Sequence, residues 1–132
     1  MTKISLIFLL IAVFLACAPK VKKEEQAGPP VLSKQEQEKK ALEAFNAILD
    51  ITEEGPREAI LPRLESAYMN IIKNYPESPL AQESYWRLII IYTRDYIPPK
   101  IEEAERLYND FLRLYPGSPF RYEIEETMVR VY

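Results

Sequence analysis

The only cysteine, Cys17, closes a run of thirteen nearly all apolar residues, Ile4 to Ala16, that comes after Met1-Thr2-Lys3. With no second thiol in the chain there is no internal disulfide, so Cys17 carries a modification, pairs with another molecule or is an incidental thiol. Other chemistry is thin. The sequence holds no His, so no imidazole base, His-based metal site or Ser–His dyad can be built. Gly28, Gly55 and Gly117 are the only glycines, too few for a phosphate-cradling loop. The acidic neighbours Glu53-Glu54, Glu102-Glu103 and Glu125-Glu126 are adjacent in sequence and diverge on a helix, so they read as solvated faces and not as paired catalytic carboxylates. We therefore expect no catalysis, no metal and no cofactor. Trp86, the only tryptophan, is the one side chain that stands out for binding.

The elements around Cys17 say where it goes. Thirteen residues as a helix span about 20 Å against a bilayer core of roughly 30 Å, which suits the apolar region of an export signal and is short for a membrane span. Residues 1–16 contain one Lys and no acid, so residues 17–132 carry 16 basic and 20 acidic side chains, a net of −4. That balance argues against nucleic acid as a partner, because phosphate binding needs a clustered basic excess. From Ala18 to about Pro30 the chain is polar with Gly28-Pro29-Pro30; it buries too little apolar surface to offset ordering and reads as a tether. Lys20, Lys22 and Lys23 are either solvated or in reach of anionic head groups.

The Ala16-Cys17 pair at the end of the apolar run resembles a bacterial lipobox, in which the cysteine becomes the lipid-bearing first residue. The resemblance implies a signal peptide over 1–16 and a lipidated tether over 17–32. An ordinary signal peptide or an uncleaved anchor is the other reading. Ala18 is not the Asp that keeps such lipoproteins at the inner membrane, so the resemblance implies an outer-membrane anchor facing the periplasm.

The remaining 33–132 are periodic. Asn74-Tyr75-Pro76-Glu77-Ser78-Pro79 returns as Leu114-Tyr115-Pro116-Gly117-Ser118-Pro119, forty residues on. Laid over each other without a gap, 41–80 and 81–120 pair Ala41 with Ala81, Glu43 with Glu83, Ile51 with Ile91, Glu65 with Glu105 and Tyr68 with Tyr108. A fixed period of this length without strand-like alternation marks a stacked helical array. Within a unit, Ala81, Tyr85, Leu88, Ile89 and Tyr92 recur at spacings of three and four. Ser78 is placed to cap that helix and Pro79 to be its first residue; Ser118-Pro119 should start another. Ile97-Pro98-Pro99 stops the first helix. Its mate carries Ile101, Ala104, Tyr108, Phe111, Leu112 and Tyr115, and Pro116 ends it. The earlier unit runs from Ser33 to Glu53, turns at Glu54-Gly55-Pro56 and resumes through Leu64, Tyr68, Ile71, Ile72 and Tyr75, with Pro62 expected in the first turn of that second helix.

Those stripes resemble tetratricopeptide repeats. Ala104, Tyr108, Phe111 and Pro116 hold the small, aromatic, apolar and proline positions of the family's second helix, and Leu64, Tyr68, Ile71 and Pro76 hold them one unit earlier. The Tyr-Pro-x-Ser-Pro junction with a lipobox resembles the BamD/YfiO-type outer-membrane assembly lipoproteins. The fold expected is all-α: antiparallel tetratricopeptide-like helix pairs, about two and a half repeats over 33–132. The resemblance implies a scaffold binding another envelope protein or peptide, possible roles being outer-membrane protein assembly or envelope maintenance. A subunit that self-assembles and an accessory to a peptidoglycan enzyme are the alternatives.

In that family's register the peptide groove would be lined by Glu43, Asn46, Asp50, Glu83, Trp86, Ile90, Thr93, Glu123 and Arg130, and the acidic members favour a peptide carrying Lys or Arg. Trp86 is either an exposed anchor there or packs against the next repeat. The last helix carries Phe120, Ile124, Met128, Val129 and Tyr132 with no further mate, an apolar stripe expected to associate with a second copy or another protein.

Overall fold

The structure is a computed structural model and describes residues 31–132; the apolar export segment, Cys17 and the tether as far as Pro30 lie outside the described residues. Five α-helices succeed one another: α1 Lys34–Glu53, α2 Arg57–Asn74, α3 Pro79–Ile90, α4 Ile101–Leu114 and α5 Arg121–Val129. A π-helical turn, Ile91–Asp95, extends α3. Among the described residues there is no strand, so the fold is all-α. Each helix packs on the one before it, and α1 and α5 both pack on α3, which is therefore the central element.

The helix starts reflect local chemistry. Ser33 caps α1 in a reciprocal box with Glu36: the Glu36 amide donates to Ser33 Oγ at 3.3 Å and the Ser33 amide to Glu36 Oε2 at 2.9 Å, satisfying donors that have no helical partner. Ser78 accepts from the Leu80 amide at 3.2 Å with Pro79 as first residue of α3. Ser118 accepts from the Phe120 amide at the same 3.2 Å, but Pro119 and Phe120 form a turn and α5 begins only at Arg121. Pro62 is not in a first turn. Because α2 begins at Arg57, the proline is its sixth residue and removes one intrahelical hydrogen bond; Glu58 and Pro62 are both exposed, so the loss falls on the solvent side.

The core is the expected stripe. Ala41, Ile48, Leu64, Ile71, Ala81, Leu88, Ile89, Ala104 and Phe111 are each at most 2% exposed, and Ile60, Leu61 and Leu107 join them. The junctions between repeats are tied by hydrogen bonds across the forty-residue period. The Tyr115 hydroxyl donates to the Pro76 carbonyl at 2.7 Å. Gln37 is buried in what reads as a polar run. Its amide nitrogen donates to Glu77 Oε2 at 3.0 Å and to the Leu32 carbonyl at 3.1 Å, and its oxygen accepts from the Glu77 amide at 3.1 Å. A buried amide with these partners is not penalised.

The last helix corrects an expectation. Ile124 and Met128 are 0% and 5% exposed, because α5 packs back on α3 and α4, and Phe120 is half-buried. Of the stripe offered for self-association, only Val129 and Tyr132 remain open, at 73% and 83%, beside Tyr122 at 71%.

Candidate binding groove

Outside its core arc, α3 presents Glu83, Arg87 and Ile90 at spacings of four and three, a single helical row, with Arg94 beyond it in the π turn. Arg87 and Arg94 are exposed, Glu83 and Ile90 half-buried, and Arg87 Nη2 bonds Glu83 Oε1 at 3.0 Å. Forty residues earlier the same row on the adjoining α1 reads Glu43, Ala47 and Asp50, with Asn46 at its flank, all exposed. Among the described residues Glu43 and Asp50 have no ion-pair partner within reach. The α1 row is thus net negative, while on α3 Arg87 offsets Glu83.

Trp86 lies at the flank of this row and points to the turn that leads into α5. Its ring centroid is 5.7 Å from that of Phe120 with the planes at 31°, and the Arg87 guanidinium carbon lies 5.1 Å from the ring centroid. The aromatic pair closes the α3–α5 interface, which is the second of the two readings the sequence left open. Trp86→Ala is therefore expected to cost about 2 kcal/mol of stability, less than a full core truncation because the ring is only half-buried. A thermal unfolding midpoint unchanged by the substitution would show that the stack contributes nothing.

Thr93 leaves the groove altogether: it is 9% exposed and its hydroxyl donates to the Ile89 carbonyl at 2.9 Å. The reason is the π turn. The Tyr96 amide returns to the Ile91 carbonyl at 3.2 Å, five residues back, so the 3.6-residue register that projected Thr93 outward no longer holds there. Arg130 is exposed and paired with Glu126 at 2.5 Å; with Thr93, Arg94, Ile101 and Thr127 it lines a separate cleft of about 340 Å³. Glu123 is half-buried, and no donor among the described residues reaches its buried Oε2. Of the residues expected in the groove, Glu43, Asn46 and Asp50 are exposed on α1, and Glu83 and Ile90 are half-buried on α3 at the repeat positions of Glu43 and Asp50. Among the described residues no three His, Cys, Asp or Glu come together to hold a metal.

One polar centre was not visible in the sequence. Glu65 on α2 accepts from the Tyr92 hydroxyl at 2.9 Å, the Tyr96 hydroxyl at 2.6 Å and Lys100 Nζ at 3.3 Å, and the ammonium sits 4.0 Å from the Tyr96 ring centroid. Burial alone would raise the Glu65 pKa, but the two hydroxyls and the ammonium outweigh it and hold it below the usual carboxylate value. The Tyr96 hydroxyl is pushed up to about 12, by burial first and then by the carboxylate it bonds. The only available signal was the pairing of Glu65 with Glu105 in the repeat, which marks an equivalent position but names no partner.

No protein-family model, curated protein or solved structure matches this chain.

Proposed function

We propose that the protein is a membrane-anchored envelope scaffold, a tetratricopeptide-like array held by a lipid on Cys17 to the periplasmic face of the outer membrane, whose α1–α3 rows hold a basic segment of another envelope protein. The observation that carries the binding half is the pair of exposed carboxylates Glu43 and Asp50 on α1, without ion-pair partners among the described residues and at the repeat positions of Glu83 and the half-buried Ile90 on α3, against which α1 packs. Apolar area next to uncompensated negative charge favours a chain with Lys or Arg set among apolar residues. The forty-residue period and its Tyr-Pro-x-Ser-Pro junctions support the array, and the Ala16-Cys17 ending of the apolar run supports the anchor.

The two halves are tested together. Metabolic fatty-acid labelling should mark the wild-type chain and be lost in Cys17→Ala, which should also accumulate unprocessed; label that survives the substitution rejects the anchor. With the anchored form, Glu43→Lys/Asp50→Lys should lower capture of the envelope partner about tenfold from detergent-solubilised membranes while leaving the unfolding midpoint within about 2 °C, as befits exposed side chains. Equal capture by the double variant rejects the groove.

A further inference from the structure

The buried arc of α1, with Gln37, Ala41 and Ile48, is the side that packs on α2 and α3. Opposite it runs a second periodic row. Lys39, Leu42, Asn46, Leu49 and Glu53 are all exposed and follow one another at spacings of three, four, three and four, the seam of a helix that packs along another helix. Its two leucines are 52% and 61% exposed and stand seven residues apart, about 10 Å along the axis. Glu43 and Asp50 repeat at the same interval, each one position after a leucine, so an acidic row runs beside the apolar one. Glu38 is exposed on the other flank. Among the described residues no ion pair draws on α1; the nearest in sequence, Arg63 with Glu54, begins just past its end. The seam and its flanks thus set Glu38, Glu43, Asp50 and Glu53 against Lys39 alone.

On the reading that Glu43 and Asp50 hold a basic segment, we infer that this segment is an amphipathic α-helix of another protein, laid along the outer face of α1. Its apolar side chains rest on Leu42 and Leu49, and its Lys or Arg residues, seven apart, meet Glu43 and Asp50. The seven-residue interval of both rows is the one at which a facing helix brings back the same side. An extended segment returns a side chain to one face about every 7 Å, which fits neither row. A second copy of the chain is a poor occupant, because two such seams would set Glu38, Glu43, Asp50 and Glu53 against their own kind, and like charges across a seam oppose association. Repeats added after Tyr132 would stack beyond α5, since each helix packs on the one before it, and would leave this face open.

Two measurements test this. The full chain in detergent is titrated with a synthetic peptide of three heptads that carries Leu in its seam and Lys at the flanking positions, with the same peptide bearing Glu in place of Lys, and with the Lys peptide interrupted by a central Pro. The Lys peptide should bind and gain helicity by circular dichroism. Leu42→Gln/Leu49→Gln should weaken it at least about tenfold, and Glu43→Lys/Asp50→Lys should do the same while admitting the Glu peptide. Both double variants should keep the unfolding midpoint within about 2 °C. The Pro peptide, whose helix is broken, should bind at least about tenfold more weakly. Equal binding by it overturns the helix and leaves the basic segment standing, whereas no binding by either Lys peptide overturns both. The second measurement puts a photo-crosslinking phenylalanine derivative in place of Leu49 in the anchored chain in cells. The adduct should be another envelope protein, joined through a segment with Lys or Arg seven residues apart, and should be lost in Glu43→Lys/Asp50→Lys. A crosslink to a further stretch of this chain, an adduct of two copies, an adduct through a segment without that basic row, or no adduct overturns the inference.

Discussion

Phe111→Ala is expected to lower the free energy of unfolding by about 4 kcal/mol, the range found when a fully buried aromatic ring is truncated. Phe111 is 0% exposed on α4, and its ring centroid lies 5.8 Å from that of Tyr85 on α3 and 5.8 Å from that of Tyr115 at the end of its own helix. Removing it takes away the transfer energy of the ring and leaves a cavity between α3 and α4 that the two helices can close only in part. A domain of this size has about 5–15 kcal/mol in total, so the variant should be largely unfolded at temperatures the wild type survives. Urea titration reads the effect as a lower midpoint at unchanged slope. Leu114→Ala, three residues away and 49% exposed, is the control and should cost under about 1 kcal/mol. A loss at Phe111 of less than about 1.5 kcal/mol would mean that α3 and α4 do not share the core described above.

Glu65→Ala is the second large effect, at about 2–3 kcal/mol, because it removes the acceptor of three hydrogen bonds and leaves the hydroxyl of Tyr92, a residue 4% exposed, without its partner. It also carries a pH signature. The Glu65 pKa is held below its ordinary value of 4.5 in the folded protein, so its contribution is fully present above that value and is lost as pH falls through the depressed folded one. On the alkaline side the Tyr96 hydroxyl is raised from 10.0 to about 12. The stability tied to its protonated form is present below 10.0 and lost as pH rises toward 12. Glu65→Gln should remove the acid limb and lessen the alkaline one, whose larger part comes from burial of the hydroxyl. Stability of wild type and variant measured from about pH 2 to about pH 11 checks this, and parallel curves would show that the cluster is decorative.

The groove, the Glu65 cluster and the α5 packing separate what local pattern contains from what it omits. Apolar spacing of three and four, Ser33 and Ser78 as caps, and the prolines that end helices act within one or two turns of the chain, so the all-α fold, the helix order and most of the core were legible in the sequence. The forty-residue period likewise placed equivalent positions, among them Glu43 beside Glu83 and Glu65 beside Glu105. Which side chain meets which was not legible. Trp86 finds Phe120 across 34 residues and Glu65 finds Lys100 across 35, and such partners depend on how one helix settles against another. Thr93 turned inward because five residues adopt a π turn, a small change in backbone winding that alters the facing of the residues beyond it and leaves no mark in residue type. Ile124 and Met128 turned inward because α3 and α4 left room for α5 to close on them. By itself the amino-acid order determined the helices and their apolar faces, since both are set by short-range geometry; the tertiary structure decided the direction each remaining face points, since that is set by the volume and position of its neighbours.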